Sequence, residues 1–247
     1  MTDRMFLVEA DGWLAASAGD EVEVSGTEGR HAVAVVKVRP GETVLLGGVG
    51  RRAEATVTHT SRDAFTARLD SLTDEPEPEP RFVLVQALAK GGRDESAVET
   101  ATELGVDEVV PWPSARGVVV WRGREREERG RRRWQSVCVA ATKQSRRARV
   151  PVVADPATTE DVAARVTAAA LALVLHETAA DPLSGVDVPA TGDVVVVVGP
   201  EGGITDGELS TLVSAGGRPV RLGREVLRSS TAGPAALTVL AAALRWR

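Results

Sequence analysis

Two glycine clusters follow short apolar runs near the C-terminus of the 247-residue chain. Gly199–Gly203, which reads GPEGG, comes directly after the five valines of Val194–Val198, and Gly223 follows Pro219–Leu222. So short a run of β-branched residues predicts a strand buried on both faces. Glycine lets a ligand approach the backbone closely, and open α/β sheets bind ligands beyond the carboxyl ends of their strands. We therefore predict one ligand pocket formed by two strand ends and their glycine loops.

Helix signals follow both glycine loops. Thr205 and Glu208 form a capping-box pattern, and Gly216 is expected to end the helix that they begin. Leu227–Thr231 leads into a last helix, which tolerates Pro234 in its first turn. The alternative interpretation is that both loops are ordinary turns between strands and helices.

The same loops match a pair of family motifs. Gly199–Glu208 fits GPEGG-[IF]-[ST]-x-x-E, and Leu222–Ala232 fits L-G-x-x-[IVL]-L-R-x-x-T-A. With both motifs the chain resembles the 16S ribosomal RNA uridine-N3 methyltransferases, the RsmE family of the SPOUT superfamily. The resemblance implies an α/β fold with a C-terminal SPOUT-type domain, a trefoil-knotted parallel sheet with helices on both faces. It also implies that the glycine loops wrap S-adenosylmethionine, the methyl donor.

The resemblance places the donor at three strand ends. The expected donor-binding residues are Leu175, His176, Glu177, Gly199, Pro200, Glu201, Gly202, Leu222, Gly223, Val226, Leu227, Thr231 and Ala232. For His176, which ends the predicted strand Leu171–Leu175, a purely structural role is the alternative.

The expected reaction determines which side chains are candidates for catalysis. Uridine N3 carries a proton, so its methylation calls for a base or for a cation that stabilises the anionic uracil. Arg228 is the expected catalytic cation. Glu201 is a candidate base, and its alternative role is to order the glycine loop. Ser230 stands where the family usually has glutamate, and its expected role is to cap the last helix.

Composition narrows the class of protein. Charged residues make up 26% and apolar residues 43% of the chain, which is typical of a soluble globular protein. Cys138 is the single cysteine and the N-terminus lacks an apolar signal segment, so we expect a cytoplasmic location. No Cys, His and carboxylate cluster suggests a metal site, and we expect none. Rossmann G-x-G-x-x-G and P-loop motifs are also missing from the sequence.

Positive charge is concentrated between Arg122 and Arg149, although the net charge of the chain is −5. This segment holds eleven basic and three acidic residues. Such a concentration favours phosphate binding. Arg122–Arg133 could equally be a solvated helix with Glu–Arg pairs four residues apart. No acid compensates Arg146, Arg147 and Arg149, which are therefore the stronger candidates.

The N-terminal part has the pattern of a small β-barrel or sandwich. Its short apolar or alternating runs are Met5–Val8, Glu21–Val24, Thr43–Leu46, Ala53–Thr58 and Ala64–Leu69, with a short helix or strand at His31–Val36. The stretch GRHAVAVVKVRPGE resembles part of the family's PUA-like β-barrel, which is implicated in RNA binding. The resemblance implies RNA contacts at Arg4, His31 and Arg39, with a structural role as the alternative for His31.

Alternating proline and glutamate at Thr73–Arg81 predict an extended linker. We therefore expect a PUA-like domain at residues 1–72, a linker at 73–81 and a methyltransferase domain at 82–247. Within the latter, a strand at Phe82–Leu88, a helix at Asp94–Leu104 and a strand at Glu108–Val110 have the rhythm of a parallel sheet.

The resemblance extends over nearly the whole chain. Trp134–Pro151 matches a family helix that ends in Q-[SC]-x-R-x-x-[VI]-P, although Lys143 stands where an acidic residue is common. The expected RNA contacts are Arg4, His31, Arg39, Lys90, Arg116, Arg146, Arg147 and Arg149.

The leading hypothesis is a homodimeric enzyme that methylates N3 of a uridine in small-subunit ribosomal RNA, either as naked RNA or in an assembled subunit. One alternative is a non-catalytic RNA-binding or ribosome-assembly module, which would need no donor. Another is a SPOUT methyltransferase that acts on a different RNA position. A measurement of donor binding distinguishes the binding-module hypothesis from the two enzyme hypotheses. Analysis of the methylated nucleoside then distinguishes the two enzyme hypotheses from each other.

Overall fold

The computed structural model describes residues 4–8 and 10–246 and forms two compact units. The first unit contains Met1–Glu77 together with Thr142–Val150, and the second contains Pro78–Ala141 and Pro151–Arg247. Thr142–Val150 is held in the first unit by contacts such as the hydrogen bond from Gly50 N to Ala148 O, at 3.0 Å. Sequence patterns could not reveal this association because it joins segments far apart in the chain.

The first unit is built on a five-stranded sheet in the order β1-β3-β4-β5-β2. β1 pairs parallel with β3, and the other pairings are antiparallel. The strands are β1 Met5–Leu7, β2 Glu21–Val24, β3 Thr43–Gly48, β4 Arg51–Thr60 and β5 Phe65–Asp74, and the helices are α1 Ala10–Trp13 and α2 Gly26–Arg30, followed by a π-helix at His31–Val36. The five predicted strand segments are thus confirmed, and His31–Val36 is helical.

Alternation of side chains explains why this sheet has a core. In β4, Ala53, Ala55 and Val57 are buried while the residues between them are more exposed, as expected for a strand with one buried face. Phe6 and Phe65 meet edge-to-face, with their ring centroids 5.2 Å apart. These aromatic and aliphatic side chains form the core of the unit.

The second unit is built on a six-stranded parallel sheet in the order β11-β9-β10-β6-β7-β8. The strands are β6 Arg81–Ala87, β7 Glu108–Trp112, β8 Val152–Val153, β9 Leu171–Leu175, β10 Asp193–Val198 and β11 Arg218–Val220, and the helices are α3 Arg93–Glu103, α4 Arg124–Ser145, α5 Thr159–Ala168, α6 Asp206–Ser214 and α7 Ser229–Leu244. A short 3₁₀ helix lies at Leu183–Gly185. The predicted parallel sheet is confirmed.

Helices cover both faces of this sheet. Val162 of α5 and Leu212 of α6 pack with Val83 and Val85 on one face. On the other face α7 crosses β6 and β10, where Gly233 lies so close that a Cβ there would be 3.0 Å from Leu84 and 3.4 Å from Val198. Because both faces are covered, the interior of β10 is apolar at successive positions, Val194–Val198, as its valine run predicted.

Candidate active site

The three strands predicted to hold the ligand are neighbours in the sheet. Within the parallel ladders, Val220 of β11 pairs with Leu175 of β9, and Val174 of β9 pairs with Val197 of β10. Their carboxyl ends therefore lie along one edge of the sheet, where α/β proteins bind ligands. β11 ends at Val220 and not at the predicted Leu222, so Leu222 and Gly223 belong to the loop that follows it.

The first glycine loop is a tight turn closed by a capping box. Gly203 N donates to Pro200 O at 2.9 Å, and Gly203 has a φ of +75°, which favours glycine. Thr205 Oγ1 accepts a 3.2 Å hydrogen bond from Glu208 N, while Glu208 Oε2 accepts from Thr205 N at 2.9 Å. The predicted capping box at the start of α6 is thus confirmed.

Glu208 also links this loop to the segment after β7. Its Oε1 accepts a hydrogen bond from Ala115 N at 2.7 Å. Burial by itself raises the pKa of Glu208, but the hydrogen bonds from Ala115 and Thr205, together with the charge of Arg116, outweigh it and hold the pKa below the ordinary value. Glu208 is therefore an ionised, nearly buried residue whose carboxylate connects the two loops. The capping pattern alone could not predict this second role.

Two arginines contact the first glycine loop. Arg93 Nη1 lies 2.9 Å from Glu201 Oε1, and Arg116 Nη1 donates to Gly202 O at 3.3 Å. A Cβ on Gly202 would lie 3.1 Å from Arg116 Cβ, so this glycine is needed for the close approach. Glu201 is thus an ion-paired loop residue, and Arg116, predicted to contact RNA, lies beside the loop.

Asp94 fixes the start of α3, next to the arginine that binds Glu201. Its Oδ1 accepts a hydrogen bond from Glu95 N at 3.0 Å. Burial raises the pKa of Asp94, and backbone hydrogen bonds from Glu95 and Ala89 only partly oppose this effect.

A pocket of about 80 Å³ lies between the ends of β9 and β11 and the start of α7. It brings together eight of the residues predicted to bind the donor, namely Leu175, His176, Glu177, Leu222, Gly223, Val226, Leu227 and Ala232. Gly199, Pro200, Glu201, Gly202 and Thr231 do not line it. The lining contains two acidic residues, Glu177 and Glu225, and one basic residue, Arg221. The guanidinium of Arg221 is bonded to Ala179 O, so the acidic side chains are the charges left for a ligand.

His176 is oriented by the turn that follows β9. Its backbone N donates to Val220 O at 3.0 Å, which continues the ladder between β9 and β11 by one residue. Thr178 N donates to His176 Nδ1 at 3.4 Å, and Thr178 Oγ1 lies 3.0 Å from the same nitrogen. An accepting Nδ1 leaves the proton of a neutral imidazole on Nε2.

Arg221 also lines the pocket and stabilises the segment after β9. It was not predicted as a site residue. Its Nη1 donates to Ala179 O at 2.9 Å, and its backbone N donates to Asp181 O at 2.9 Å. The sequence offers no signal for this role because the accepting groups are carbonyls forty residues away.

Arg228 lies at the N-cap of α7, directly after the pocket-lining Leu227. Its carbonyl accepts hydrogen bonds from Thr231 N at 2.8 Å and Ala232 N at 2.9 Å, which fixes its backbone. Its side chain is exposed, and within residues 4–8 and 10–246 no ion pair or hydrogen bond engages the guanidinium. The backbone is thus fixed while the cation remains available.

Buried polar atoms without partners lie near the same sheet edge. Gln86 Oε1, at the end of β6, and Ser229 Oγ, in the first turn of α7, have no hydrogen bond. Gln86 shares its face of the sheet with Leu84, the face that α7 covers. Gln86 is the one polar residue in the buried part of β6, Phe82–Ala87, and this interruption of an apolar run was the sequence signal for a buried polar group.

The other residues predicted to contact RNA are divided between the units. Lys90 is exposed in the loop after β6 of the second unit. In the first unit His31 and Arg39 are exposed, and Arg4 Nη1 donates to Val36 O at 2.9 Å.

The arginine cluster Arg146, Arg147 and Arg149 belongs to the first unit. Arg149 is engaged there, since its Nη2 donates to Glu75 O at 2.6 Å and its Nη1 to Pro76 O at 3.0 Å. Arg146 adopts a left-handed backbone conformation with a φ of +58°, and its carbonyl accepts from Arg52 Nη1 at 3.3 Å. Arg149 therefore has a structural function in addition to any role in binding RNA.

The described residues contain neither a candidate metal-binding cluster nor a candidate membrane-spanning helix. Across 4–8 and 10–246, no group of three or more His, Cys, Asp or Glu side chains is arranged to hold a metal ion. In the same part of the chain, no helix has the length and apolar character needed to span a membrane.

Comparisons with known proteins agree on one kind of relative. A family model described as an RNA methyltransferase domain matches residues 76–241. The chain is 44% identical to ribosomal RNA small subunit methyltransferase E of Mycobacterium bovis over 219 residues, which cover 87% of this chain and 83% of the relative. The protein of the same name from Bacillus subtilis is 26% identical over 226 residues, 88% of each chain.

Solved structures have the same fold. A ribosomal RNA small subunit methyltransferase E from Neisseria gonorrhoeae, bound to S-adenosylmethionine, superposes with a TM-score of 0.83 and 27% identity over 98% of both chains. A structure of a hypothetical protein superposes with a TM-score of 0.88 at 24% identity, over 98% of this chain and 99% of that one. The similarity therefore covers both units of the molecule.

Proposed function

We propose that this chain, which belongs to the ribosomal RNA small subunit methyltransferase E family, methylates N3 of a uridine in 16S ribosomal RNA with S-adenosylmethionine as the methyl donor. The observation that carries the proposal is the pocket where the ends of β9 and β11 meet the start of α7, next to the available cation of Arg228. N3 as the acceptor follows from the resemblance of the two glycine-loop motifs.

The charge of the pocket fits the donor. S-adenosylmethionine supplies a methyl group bound to a positively charged sulfur. The acidic side chains of Glu177 and Glu225 outnumber the single cation of the lining, Arg221, and would favour the positive sulfur. The apolar side chains of Leu175, Val226 and Leu227 suit the rest of a nucleoside. Gly199 and Gly202, in the neighbouring loop, would complete the wall.

The size of the pocket implies a movement. Its volume of about 80 Å³ is well below the range of roughly 300–1,000 Å³ that is usual for sites of drug-sized ligands. Val226 and Leu227, which line it, are 77% and 38% exposed and therefore lightly packed. We expect the loop 221–228 to move outward and then close over the donor.

Arg228 is the residue that we assign to the acceptor. The negative charge that develops on uracil when N3 loses its proton is stabilised by a fixed cation. Glu201 is a weaker candidate for the base, because its carboxylate is already paired with Arg93 at 2.9 Å. Its role in ordering the loop is therefore the one that we favour.

The first unit supplies further RNA contacts in this proposal. Arg4, His31 and Arg39 would bind the RNA backbone from a PUA-like domain, together with Arg146, Arg147 and Arg149. We expect the enzyme to act in the cytoplasm, on ribosomal RNA.

Finer features of the fold are part of the same proposal. We assign residues 1–72 to a PUA-like domain, 73–81 to a linker and 82–247 to a SPOUT domain with a trefoil knot. In this proposal α7, which follows the edge strand β11 and packs on β6 and β10, is the segment that would pass through the knot. We also expect a homodimer, which light scattering would test.

Calorimetric titration with S-adenosylmethionine and S-adenosylhomocysteine is the first test. Binding of both at micromolar concentrations would support the enzyme, whereas a folded protein that binds neither would leave an RNA-binding module as the better account. Methylated-nucleoside analysis of 16S RNA after reaction would then decide the position. A product other than 3-methyluridine would contradict the assignment to N3.

A further inference from the structure

A second cavity, of about 640 Å³, lies in the second unit between α4 and the loop that follows β6. Two tryptophans, Trp121 and Trp134, line it together with the basic residues Lys90, Arg126 and Arg133. Trp134 is buried, with 1% of its surface exposed, whereas Trp121 is only partly buried. The donor pocket uses none of these residues, so this cavity requires a separate explanation.

Trp121 is held in a defined position. Its ring meets that of Trp134 edge-to-face, with centroids 5.6 Å apart and planes at 78°. It also lies against the backbone of α4 at Gly130, where a Cβ would come within 2.4 Å of the indole ring. Any residue larger than glycine at position 130 would therefore displace the ring. A partly exposed indole fixed on two sides is a preorganised stacking surface.

The charges around Trp121 suit a phosphate chain. Arg133 is paired with Glu95 at 2.7 Å, and Arg129, also in the lining, is paired with Glu125 at 2.6 Å. Lys90 and Arg126 are exposed, and neither forms an ion pair with a carboxylate in the part of the chain that the structure describes. The carboxyl of Asp94 also belongs to the lining, but it is buried, whereas Lys90 and Arg126 are exposed. Exposed cations beside an indole are the combination with which proteins bind single-stranded nucleic acid.

We infer that the cavity lined by Trp121, Lys90 and Arg126 binds one nucleotide of a single-stranded RNA segment. The base stacks on Trp121, and Lys90 and Arg126 bind the adjoining phosphates. The inference rests on the proposed function, since it supplies a site for the RNA that the enzyme methylates.

This nucleotide flanks the methylated one. The donor pocket lies at the ends of β9 and β11, whereas the cavity adjoins β6, which β10 separates from β9. Two strand spacings amount to about 10 Å. Methyl transfer requires the reacting atoms to be about 3–3.5 Å apart. Within one chain, a base stacked on Trp121 is therefore too far from the donor to be its acceptor, and the site acts by holding the strand in register.

The test measures binding of a fluorescein-labelled single-stranded RNA oligonucleotide of mixed sequence to the full-length protein, at one fixed ionic strength. Trp121→Ala is expected to weaken RNA binding about tenfold, while Trp121→Phe keeps most of it because a stacking surface remains. Trp246→Ala is the matched control, because Trp246 is 55% exposed and lies outside the cavity. Its RNA affinity should equal that of the wild type.

A second pair of variants moves the ring without removing it. Gly130→Ala should weaken RNA binding as Trp121→Ala does, because its Cβ displaces the indole. Gly207→Ala, in α6, meets no atom within 4 Å and should have no effect. Neither change is expected to unfold the protein, since alanine is a better helix former than glycine.

Donor binding separates this inference from the proposed function. All four alanine variants should bind S-adenosylhomocysteine as the wild type does, and a wild type that fails to bind it would refute the proposed function alone. Equal RNA binding by wild type and Trp121→Ala would overturn the nucleotide site. So would a loss of RNA and donor binding together in Trp121→Ala, which would show a general structural role.

Discussion

Glu208 Oε1 accepts a 2.7 Å hydrogen bond from the amide of Ala115, ninety-three residues earlier in the chain. The same carboxylate closes the capping box of α6 through Thr205, and the residue is only 7% exposed. One buried anion thus joins the loop after β10 to the loop after β7. The position of the GPEGG loop therefore depends on a charge that lies outside the motif's first five residues.

Replacing Glu208 by glutamine should destabilise this part of the protein. An amide side chain has one accepting oxygen, so either Ala115 N or Thr205 N loses its partner, and we expect a loss of about 1–3 kcal/mol in the free energy of unfolding. Hydrogen exchange at the Ala115 amide should become faster. Asp161→Asn is the control, because Asp161 closes the equivalent box of α5 but is exposed, and its effect should be smaller.

The effect of Glu208→Gln should depend on pH. The pKa of Glu208 in the folded protein lies below its ordinary value of 4.5, so the ionised form stabilises the fold above that pH and the contribution is lost as the pH falls through the folded pKa. The stability difference between wild type and variant should therefore be largest near neutral pH and shrink in acid. Urea unfolding at a series of pH values checks this, and a difference that grew on acidification would contradict it.

Arg228→Ala should reduce turnover much more than donor affinity. The guanidinium is available beside the pocket but does not line it, so we assign it to the acceptor. Loss of a group that stabilises developing charge typically costs about a hundredfold or more in kcat. The dissociation constant for S-adenosylhomocysteine should change less than about twofold, a much smaller free-energy effect.

Arg224→Ala is the matched control for Arg228→Ala. Arg224 is an exposed arginine in the same loop, and it does not line the pocket. Its removal should leave kcat near the wild-type value. Equal losses of turnover and donor affinity in Arg228→Ala would show that Arg228 belongs to the donor site.

Val226→Ser should weaken donor binding and make the heat-capacity change on binding less negative. Val226 lines the pocket yet is 77% exposed, so closure of the loop over the donor would bury it. We expect the dissociation constant for S-adenosylhomocysteine to rise about fivefold, with a less negative heat-capacity change on binding. Val213→Ser, a 43% exposed valine on α6, is the control. Identical heat-capacity changes in wild type and Val226→Ser would argue against loop closure.

Local patterns in the sequence predicted much of this architecture. The valines of β10 and the capping box at Thr205 and Glu208 were predictable because strand burial and helix capping depend on neighbours within a few residues. The eight predicted residues that line the pocket between β9, β11 and α7 came from motifs that the chain shares with the family.

Contacts between distant segments could not be predicted in this way. The bonds of Arg221 to Ala179 O, Arg93 to Glu201 and Glu208 to Ala115 N join residues that no periodicity connects. The association of Thr142–Val150 with the first unit is another example. The predicted donor roles of all thirteen residues stay predictions, and Gly199 and Gly202 are among the five that do not line the pocket.

Replacing Arg39 should change the salt dependence of RNA binding, whereas replacing Arg149 should change the stability of the protein, although both residues were predicted to contact RNA. Arg39 is exposed, so Arg39→Gln should lower the slope of log affinity against log salt by about 0.7–0.9, the value for one phosphate contact. Arg149 binds the carbonyls of Glu75 and Pro76, so Arg149→Gln should lower the free energy of unfolding by about 1–2 kcal/mol. RNA titrations over a range of salt, with thermal unfolding, separate the two. An unchanged salt slope in Arg39→Gln would remove it from the RNA surface.

The family departure at Lys143 has a structural partner in Glu28. Lys143 Nζ lies 2.7 and 2.9 Å from the two carboxylate oxygens of Glu28, and the side chains are 20% and 22% exposed. Glu28 belongs to α2, which runs directly into the π-helix that begins at His31. The pair therefore helps to position a residue that we propose as an RNA contact.

A charge exchange tests whether this pair stabilises the first unit. Lys143→Glu would place two carboxylates together, and Glu28→Lys would place two ammonium groups together, so each single change should destabilise the protein by about 1–2 kcal/mol. The double variant restores opposite charges and should recover most of that loss. Thermal unfolding of the wild type, both single variants and the double variant gives the coupling energy. If the two single effects simply added in the double variant, the ion pair would contribute nothing, and packing of the lysine over the Phe6 ring, 5.8 Å away, would explain the residue at position 143 instead.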